Sequence, residues 1–225
     1  MSPSNTTTPR DRSRRRRKST TEGDELGGRT QIIEAALASI LEVGFYRSST
    51  NEIARRANLS WGALQYHFGT REALFLEVVK ELDRRFLEGI ENAQVEGATK
   101  EERIASLYDI LCRQYDSPEF LVRLQIVLNL QHDPDTSADV RAEVAEHAAR
   151  ASAPVRRLLR EAIGGQPSKV AIDTLFHALR GFALSRQFAR SIPVEGSRIP
   201  GPDAVKLFLH GLAIAETPVA TKRSR

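Results

Sequence analysis

The stretch STNEIARRANLSWGALQYHFGTR, residues 49–71, largely decides how this chain is interpreted. Ser49 precedes Glu52 by three residues, a spacing typical of a capping box, in which Ser49 accepts a hydrogen bond from the Glu52 amide and the Glu52 side chain reaches back. Ser60 is placed to cap a second short helix in the same way. The stretch therefore predicts two short helices joined by a tight turn at Asn58.

The two short helices have distinct inner and outer faces. The apolar residues recur at helical spacing, which predicts a shared inner face of Ile53, Ala54, Ala57, Leu59, Leu64 and Phe68. Trp61 and Gln65, four residues apart, share the opposite face with Ala63 nearby. In a DNA-binding helix-turn-helix, the second helix enters the major groove with such outer residues at the base edges. The pattern favours DNA binding, and plain packing of two helices is the alternative.

Longer helices are predicted on both sides of this unit. An amphipathic pattern begins near residue 29, with Thr30 as the predicted N-cap, and ends at Gly44, which we expect in the left-handed conformation. Thr70 is placed to cap a long fourth helix. Further helices are predicted at about 100–115, 118–131, 137–163, 168–190 and 203–216, the third of them kinked or broken at Pro154. No segment alternates with period two, so we expect an all-α chain of about nine helices.

The chain is expected to divide into four parts. These are a disordered basic arm over residues 1–28, a helix-turn-helix domain over 29–72, a second helical domain over 73–216 and a disordered tail over 217–225. Seven of the nine residues from 10 to 18 are basic and one is acidic. Such an arm either contacts DNA phosphates and the minor groove or stays solvated.

Composition limits the classes of protein that remain. The 225 residues carry a formal net charge of +4 and are 40% hydrophobic, as in ordinary globular proteins. Cys112 is the single cysteine, which allows neither an intrachain disulfide nor a cysteine-based zinc site and fits a reducing cytoplasm. No apolar region follows the basic N-terminus, and no uncharged run approaches the roughly 20 residues of a membrane span. We expect a cytoplasmic protein with no membrane partner and no cofactor.

The run from Thr30 to Leu76 resembles the N-terminal domain of the tetracycline-repressor (TetR) family. The matching residues are Ile33, Ala36, Phe45, Ser49, Ile53-Ala54, Ala57-Asn58-Leu59-Ser60, Gly62, Leu64, Tyr66-His67-Phe68 and Arg71-Glu72-Ala73-Leu74. The resemblance implies a helix-turn-helix domain followed by a helical ligand-binding and dimerisation domain. It also implies a homodimeric repressor that a small-molecule effector releases from a palindromic operator in double-stranded DNA.

The resemblance also implies which residues contact DNA. They are Ser49, Thr50, Asn51, Ser60, Trp61, Ala63, Gln65, Tyr66, His67 and Arg71. Tyr66, His67 and Arg71 would contact the phosphate backbone, with core packing of Tyr66 and helix capping by His67 as alternatives. Gln65 stands where tyrosine is frequent in the family, and Trp61 stands at a variable position. Gln65 either pairs with adenine or contacts only phosphate, so the operator sequence stays open.

By the same resemblance, the C-terminal helices hold an effector pocket and a dimer interface. The pocket candidates are Tyr108, Cys112, Tyr115, Phe120, Arg123, Leu124, Val127, Leu128, His147 and Phe176. The interface candidates are Val170, Leu175, Phe176, Leu179, Phe182, Ala183 and Phe188, followed by Val205, Leu207, Phe208, Leu209, Leu212, Ala213 and Ile214, with a place in the monomer core as the alternative. Effector binding would shift the long fourth helix and so the spacing of the DNA-reading helices.

Two other functions were weighed against this one. A nucleoid or replication-associated protein of the same fold would bind DNA without a ligand, at dispersed sites rather than at a few promoters. An enzyme would need Cys112 as a nucleophile, but no Cys-His signature surrounds it, so we expect no catalytic activity. His132 near Asp133 and Asp135 is interpreted as a solvated loop rather than as a metal site.

Overall fold

The structure, a computed structural model, describes residues 9–150, 152–191 and 202–215, and these ranges contain ten α-helices and no strand. The helices are α1 (Pro9–Val43), α2 (Thr50–Arg56), α3 (Trp61–Phe68), α4 (Arg71–Glu91), α5 (Lys100–Tyr115), α6 (Pro118–His132), α7 (Ala138–Arg150), α8 (Ser152–Ile163), α9 (Lys169–Ser191) and α10 (Pro202–Ala215). The all-α prediction is confirmed. None of the described helices combines the length and the apolar character needed to cross a bilayer.

The segment predicted as one helix over 137–163 contains α7 and α8, which lie on either side of residue 151. Residue 151 itself lies outside the described residues. Pro154 is the third residue of α8. The described ranges thus give ten helices, against the nine or so predicted. The predicted tail, 217–225, lies outside the described residues.

Helix α1 begins about twenty residues earlier than predicted. It runs from Pro9, so residues 9–28 are helical and the prediction of a disordered arm is wrong for them. Thr30 is not an N-cap, because its hydroxyl donates to the carbonyl of Leu26 one turn earlier, at 3.0 Å. A hydroxyl that bonds a carbonyl inside a helix does not terminate the helix. Residues 1–8, and the side chains of residues 9–25, lie outside the described part.

Two clusters of buried side chains hold the helices together. The first joins α1, α2, α3 and the first half of α4 to α6 and α7, with Phe75 and Ile126 both fully buried. The second joins the end of α4 to α5, α8, α9 and α10 around Leu111 and Leu158. The packing therefore does not divide at residues 72 and 73. Helix α4 belongs to both clusters and connects the N-terminal helices to the rest.

Ion pairs reinforce the position of α4. Arg29 of α1 pairs with Glu77 of α4, and Lys80 contacts both Glu77, at 2.9 Å, and Glu143 of α7. A continuous chain of charges thus runs from α1 across α4 to α7. Single exposed pairs contribute little to stability, but a network of half-buried members restricts how these three helices slide.

Candidate functional site

Three side-chain caps fix the helix starts in and after the helix-turn-helix. Ser49 Oγ accepts from the Glu52 amide at 3.2 Å, Ser60 Oγ from Ala63 at 3.1 Å, and Thr70 Oγ1 from Ala73 at 3.1 Å. Each bond satisfies one of the amides that a helix start leaves unpaired. These caps set where α2, α3 and α4 begin, as the sequence predicts.

Glu52 does not complete the predicted capping box. Its carboxylate instead accepts from Arg55, at 2.8 and 2.9 Å, and from Arg56, at 2.6 Å. Hydrogen bonds from Arg55 and then Arg56 lower the pKa of Glu52 to about 2. Arg56 also reaches Glu42 of α1 at 2.6 Å. The Glu52 side chain therefore helps tie α2 to α1 instead of capping its own helix, because two guanidinium groups are stronger donors than one amide.

The turn between α2 and α3 depends on one residue in the left-handed region. Asn58 has φ of +52°, and asparagine tolerates this conformation better than most residues. The amide of Leu59 then donates to the carbonyl of Ala54 at 3.0 Å, which closes the turn. Ala54 and Ala57 are buried, and their small side chains let the two helices approach closely.

Helix α3 presents one polar and aromatic face to solvent. Trp61 is 54% exposed and Tyr66 is 73% exposed, and Gln65 is exposed between them. Leu64 and Phe68 on the other side are buried, as predicted. Core packing of Tyr66 is therefore ruled out. The helix carries no acidic side chain in its first turn, so nothing there opposes a DNA phosphate.

The remaining predicted DNA residues differ in exposure. Asn51 is exposed, whereas Thr50 and Ala63 are half-buried. His67 packs against Gly28 of α1. The two are so close that a Cβ at residue 28 would lie only 3.0 Å from His67 Nε2. His67 is thus supported by α1, a contact that the sequence pattern of α3 alone does not reveal.

Arg71 points inward, unlike the phosphate-contacting side chain predicted. Its guanidinium carbon lies 4.6 Å from the ring centres of both Phe45 and Phe75, and Nη2 donates to the Phe45 carbonyl at 3.1 Å. Burial lowers the pKa of Arg71, and nearby Asp133 acts in the opposite direction. The flat guanidinium joins the corner after α1 to the start of α4. A phosphate contact would require this side chain to leave the two rings.

Arg71→Ala is expected to lower the free energy of unfolding by about 2 kcal/mol, because two cation–π contacts and one hydrogen bond are lost. Arg71→Lys should not restore stability, since an ammonium lacks the flat fork that lies against both rings. Urea unfolding measures the stability of both variants, and DNA affinity at two salt concentrations measures whether the Arg71 side chain contacts phosphate. Full stability in Arg71→Ala, combined with a flatter salt dependence of DNA affinity, would instead support the predicted phosphate contact.

A second candidate site lies in the helical body around Asp83 of α4. Asp83 is only 6% exposed, and Arg123 of α6 pairs with its Oδ1. Its Oδ2 is buried and has no hydrogen-bond partner, and His147 Nδ1 stands 3.7 Å away. A small cavity of about 30 Å³ adjoins this carboxylate and is lined by Asp83, Phe86, Tyr115, Phe120, Arg123, Phe176 and Arg180.

The structure brings together some predicted pocket residues and separates others. Tyr115, Phe120, Arg123 and Phe176 line the cavity, and His147 lies behind it. Burial raises the pKa of Tyr115 to about 12, so its hydroxyl stays neutral.

Besides His147, five predicted pocket residues do not line this cavity, and one of them is Leu124, which is half-buried on α6. Tyr108 and Cys112 are packed in the second buried cluster, and burial raises the pKa of both. Val127 packs against the N-terminal cluster, and Leu128 is 50% exposed. The sequence pattern does not distinguish these positions, because each helix has residues facing several neighbours.

Sequence reasoning missed Asp83, Phe86 and Arg180. Asp83 was detectable, because it falls within the apolar stripe of α4 one turn after Val79 and one residue after Leu82. A carboxylate on the buried face of a helix is costly unless it has a partner, so it is often functional. Arg180 carries no such signal, since an arginine in a helix is usually solvated.

Comparison with known proteins agrees with this arrangement. The family described as bacterial regulatory proteins, tetR family, matches residues 32–78. The HTH-type transcriptional repressor AcnR of Corynebacterium efficiens is 30% identical over 147 residues, which are 64% of this chain and 71% of that protein. The fatty acid metabolism regulator protein of Bacillus subtilis is 33% identical over 75 residues, 33% of this chain, and the match spans only 39% of that relative.

A solved structure supports the fold over nearly the whole chain. The crystal structure of FadR from Bacillus subtilis in complex with stearoyl-CoA has a TM-score of 0.57 at 18% identity and covers 84% of this chain and 99% of that one. The family match, the AcnR relative and the helix-turn-helix with its exposed α3 face together define the class as bacterial regulatory proteins. The chain belongs to the TetR family of bacterial regulatory proteins.

Proposed function

We propose that this protein is a dimeric transcriptional repressor that binds a palindromic operator and leaves it when a small-molecule effector binds the helical body. The observation that carries the DNA-binding part is the outward face of α3, where Trp61, Gln65 and Tyr66 are all exposed on a helix anchored by its other side. A rigid helix with exposed side chains suits entry into a major groove.

The proposed contacts use the exposed side chains of α2 and α3 together with the half-buried Thr50, Ala63 and His67. Trp61 and Gln65 read base edges, with Ala63 between them close to the DNA. Tyr66 contacts the backbone, and His67, held by α1, does so with its outer edge. The caps of α2 and α3 add phosphate contacts through the helix starts at Ser49, Thr50, Asn51 and Ser60.

The dimer proposal rests on exposed apolar side chains of α9 and α10. Val170 and Phe188 of α9 are 73% and 60% exposed, and they are 18 residues apart, or about five turns, so they lie on one side of the helix. Leu207 and Ile214 of α10 are 74% and 73% exposed and lie about two turns apart, again on one side. Large exposed apolar side chains on neighbouring helices are typical of interfaces.

The interface candidates divide between the monomer core and the exposed sides of α9 and α10. Leu175, Leu179, Ala183 and Leu209 are buried within the monomer, so for these residues the alternative, a core position, is correct. The side chains of Val205 and Ala213 lie outside the described ones. A second copy of the chain would therefore pack on the sides of α9 and α10 that carry Val170, Phe188, Leu207 and Ile214.

Leu207→Glu is expected to convert the dimer into a monomer, because the glutamate would be buried unpaired at the interface. Analytical ultracentrifugation measures the mass, and operator affinity should fall at least about 100-fold because one half-site is lost. Leu128→Glu is the matched control, since Leu128 is also exposed, at 50%, but lies on α6. A monomeric wild type, or a dimeric Leu207→Glu variant, would refute the interface.

The connection between the two sites is α6 together with α4. Helix α6 contributes Phe120 and Arg123 to the cavity, and Asp133, just after its end, lies beside Arg71 at the start of α4. Ser137 then donates to Glu72 of α4 at 3.3 Å. An effector that displaces α6 would therefore act on the helix that holds the DNA-reading unit. It shifts the equilibrium only by its differential affinity for the two arrangements.

Selection of bound sequences from random DNA tests the proposal. A single palindromic site is the expected result, and that site located at a few promoters in the genome supports a regulator. Binding without sequence preference would contradict it and would favour the architectural role in the nucleoid.

A further inference from the structure

Asp83 is a buried carboxylate that the protein satisfies only in part. Arg123 takes Oδ1, while Oδ2 is buried without a hydrogen bond. His147 Nδ1, at 3.7 Å from Oδ2, is beyond normal hydrogen-bond distance. A buried acceptor without a donor is costly, so this oxygen favours any molecule that brings a donor to it.

The surrounding charges limit which donor fits. Arg123 and Arg180 both line the cavity beside Asp83, and His147 adds a third positive charge whenever it is protonated. A ligand ammonium would face these cations. A neutral hydroxyl donates to Oδ2 without that repulsion, and it avoids the larger cost of desolvating a charge.

Arg180 indicates a second ligand group. It is exposed on α9, its guanidinium carbon lies 5.7 Å from the Phe176 ring centre, and it has no carboxylate partner among the described residues. With Asp83 neutralised by Arg123, the cavity carries one uncompensated positive charge at Arg180. An arginine fork beside an apolar cavity suits a carboxylate.

The space between these two groups is aromatic. Phe86, Tyr115, Phe120 and Phe176 line it, with the Tyr115 and Phe120 ring centres 5.1 Å apart. The cavity of about 30 Å³ holds little more than a water molecule. A neighbouring cavity of about 200 Å³ is also lined by Phe86, Phe120 and Arg123, so movement of these side chains would join the two.

We infer that the effector is a small hydroxylated carboxylic acid with an apolar ring as its body. Its carboxylate pairs with Arg180, its ring packs among the phenyl groups, and its hydroxyl donates to Asp83 Oδ2. The inference rests on the proposed ligand-responsive function, since it assigns the effector's chemistry to that same site. Opening of the wall formed by Phe86 and Phe120 accompanies binding.

Calorimetric titration of the full chain with three probes tests the inference. The probes are 4-hydroxybenzoate, which has both groups, benzoate, which lacks the hydroxyl, and phenol, which lacks the carboxylate. The first should bind at least about tenfold more tightly than either of the others, because each group adds one hydrogen bond to a charged partner. Equal affinities, or no binding of any probe, would overturn the inference.

Two variants test whether Arg180 contacts the carboxylate of the probe and whether Asp83 contacts its hydroxyl. Arg180→Gln should weaken both acids about tenfold and leave phenol unchanged, whereas Arg160→Gln, an exposed arginine of α8, should change nothing. Asp83→Asn should remove the preference for the hydroxyl. If Asp83→Asn does not fold, the surface variant Arg180→Gln still decides, because identical behaviour of Arg180→Gln and Arg160→Gln refutes the site.

DNA binding separates this inference from the proposed function. One outcome is that the protein selects a palindrome and is released from it by a compound that has neither a carboxylate nor a hydroxyl. In that case only the inferred effector chemistry fails. If no sequence is selected, the proposed function itself fails, whatever the probes bind.

Discussion

Replacing both Trp61 and Gln65 with alanine is expected to abolish sequence-specific DNA binding. Each contact with a base edge contributes about 1–3 kcal/mol, so losing two should weaken affinity for the selected operator by roughly 30-fold to 20,000-fold. Both side chains are exposed, so the fold should keep its stability. Fluorescence anisotropy with the operator and with a scrambled duplex measures the ratio of the two affinities, which is the sequence specificity.

The controls for this variant separate reading of bases from general attraction to DNA. Affinity for the scrambled duplex should fall much less, because phosphate contacts elsewhere are unchanged. Gln166→Ala removes an exposed glutamine from the loop before α9 and should leave both affinities intact. Equal losses on the two duplexes would mean that Trp61 and Gln65 contact only the backbone.

Phe75→Ala should produce the largest loss of stability, about 3–5 kcal/mol. Phe75 is fully buried near the start of α4, within the first cluster. Its ring centre lies 4.9 Å from that of Phe45 and 4.6 Å from the Arg71 guanidinium carbon. It also borders a cavity of about 260 Å³ at the junction with α6, so truncation enlarges an existing space instead of allowing collapse. Urea denaturation measures the change.

Phe75→Leu is the matched comparison, because it keeps most of the apolar volume but loses the flat ring. It should cost about 1–2 kcal/mol. DNA affinity should decline in Phe75→Ala even in the folded fraction, since Phe45 and Arg71 would lose the surface that orients them. A cost for Phe75→Ala below about 1 kcal/mol would show that this junction is not a central part of the fold.

The DNA-binding unit could be predicted in detail from the sequence. The caps at Ser49, Ser60 and Thr70 act over three residues, and the left-handed Gly44, with φ of +84°, ends α1 as expected. Such bonds form within one turn of helix, so the residues that determine them lie side by side in the sequence. The same locality explains why the bounds of α5, α6, α9 and α10 were predicted to within two residues.

The effector site could be predicted only in outline. Asp83 and Arg123 are 40 residues apart, and Arg180 lies on a third helix. Which faces meet depends on how α4, α6 and α9 pack, and hydrophobic spacing shows that a face is buried without showing what covers it. Tyr108 and Cys112 were therefore grouped with Tyr115, although the structure places them away from the cavity.

The sequence by itself determined where the short DNA-reading helices begin and end and which of their residues face outward, because caps and helical periodicity are local. Only the tertiary structure decided the partners of the long charged side chains. Glu52 binds Arg55 and Arg56 instead of its own helix start, Arg71 lies over two adjacent rings, and Asp83 keeps one oxygen unpaired. Such side chains reach several neighbours, so their partners depend on which helices the fold brings within range.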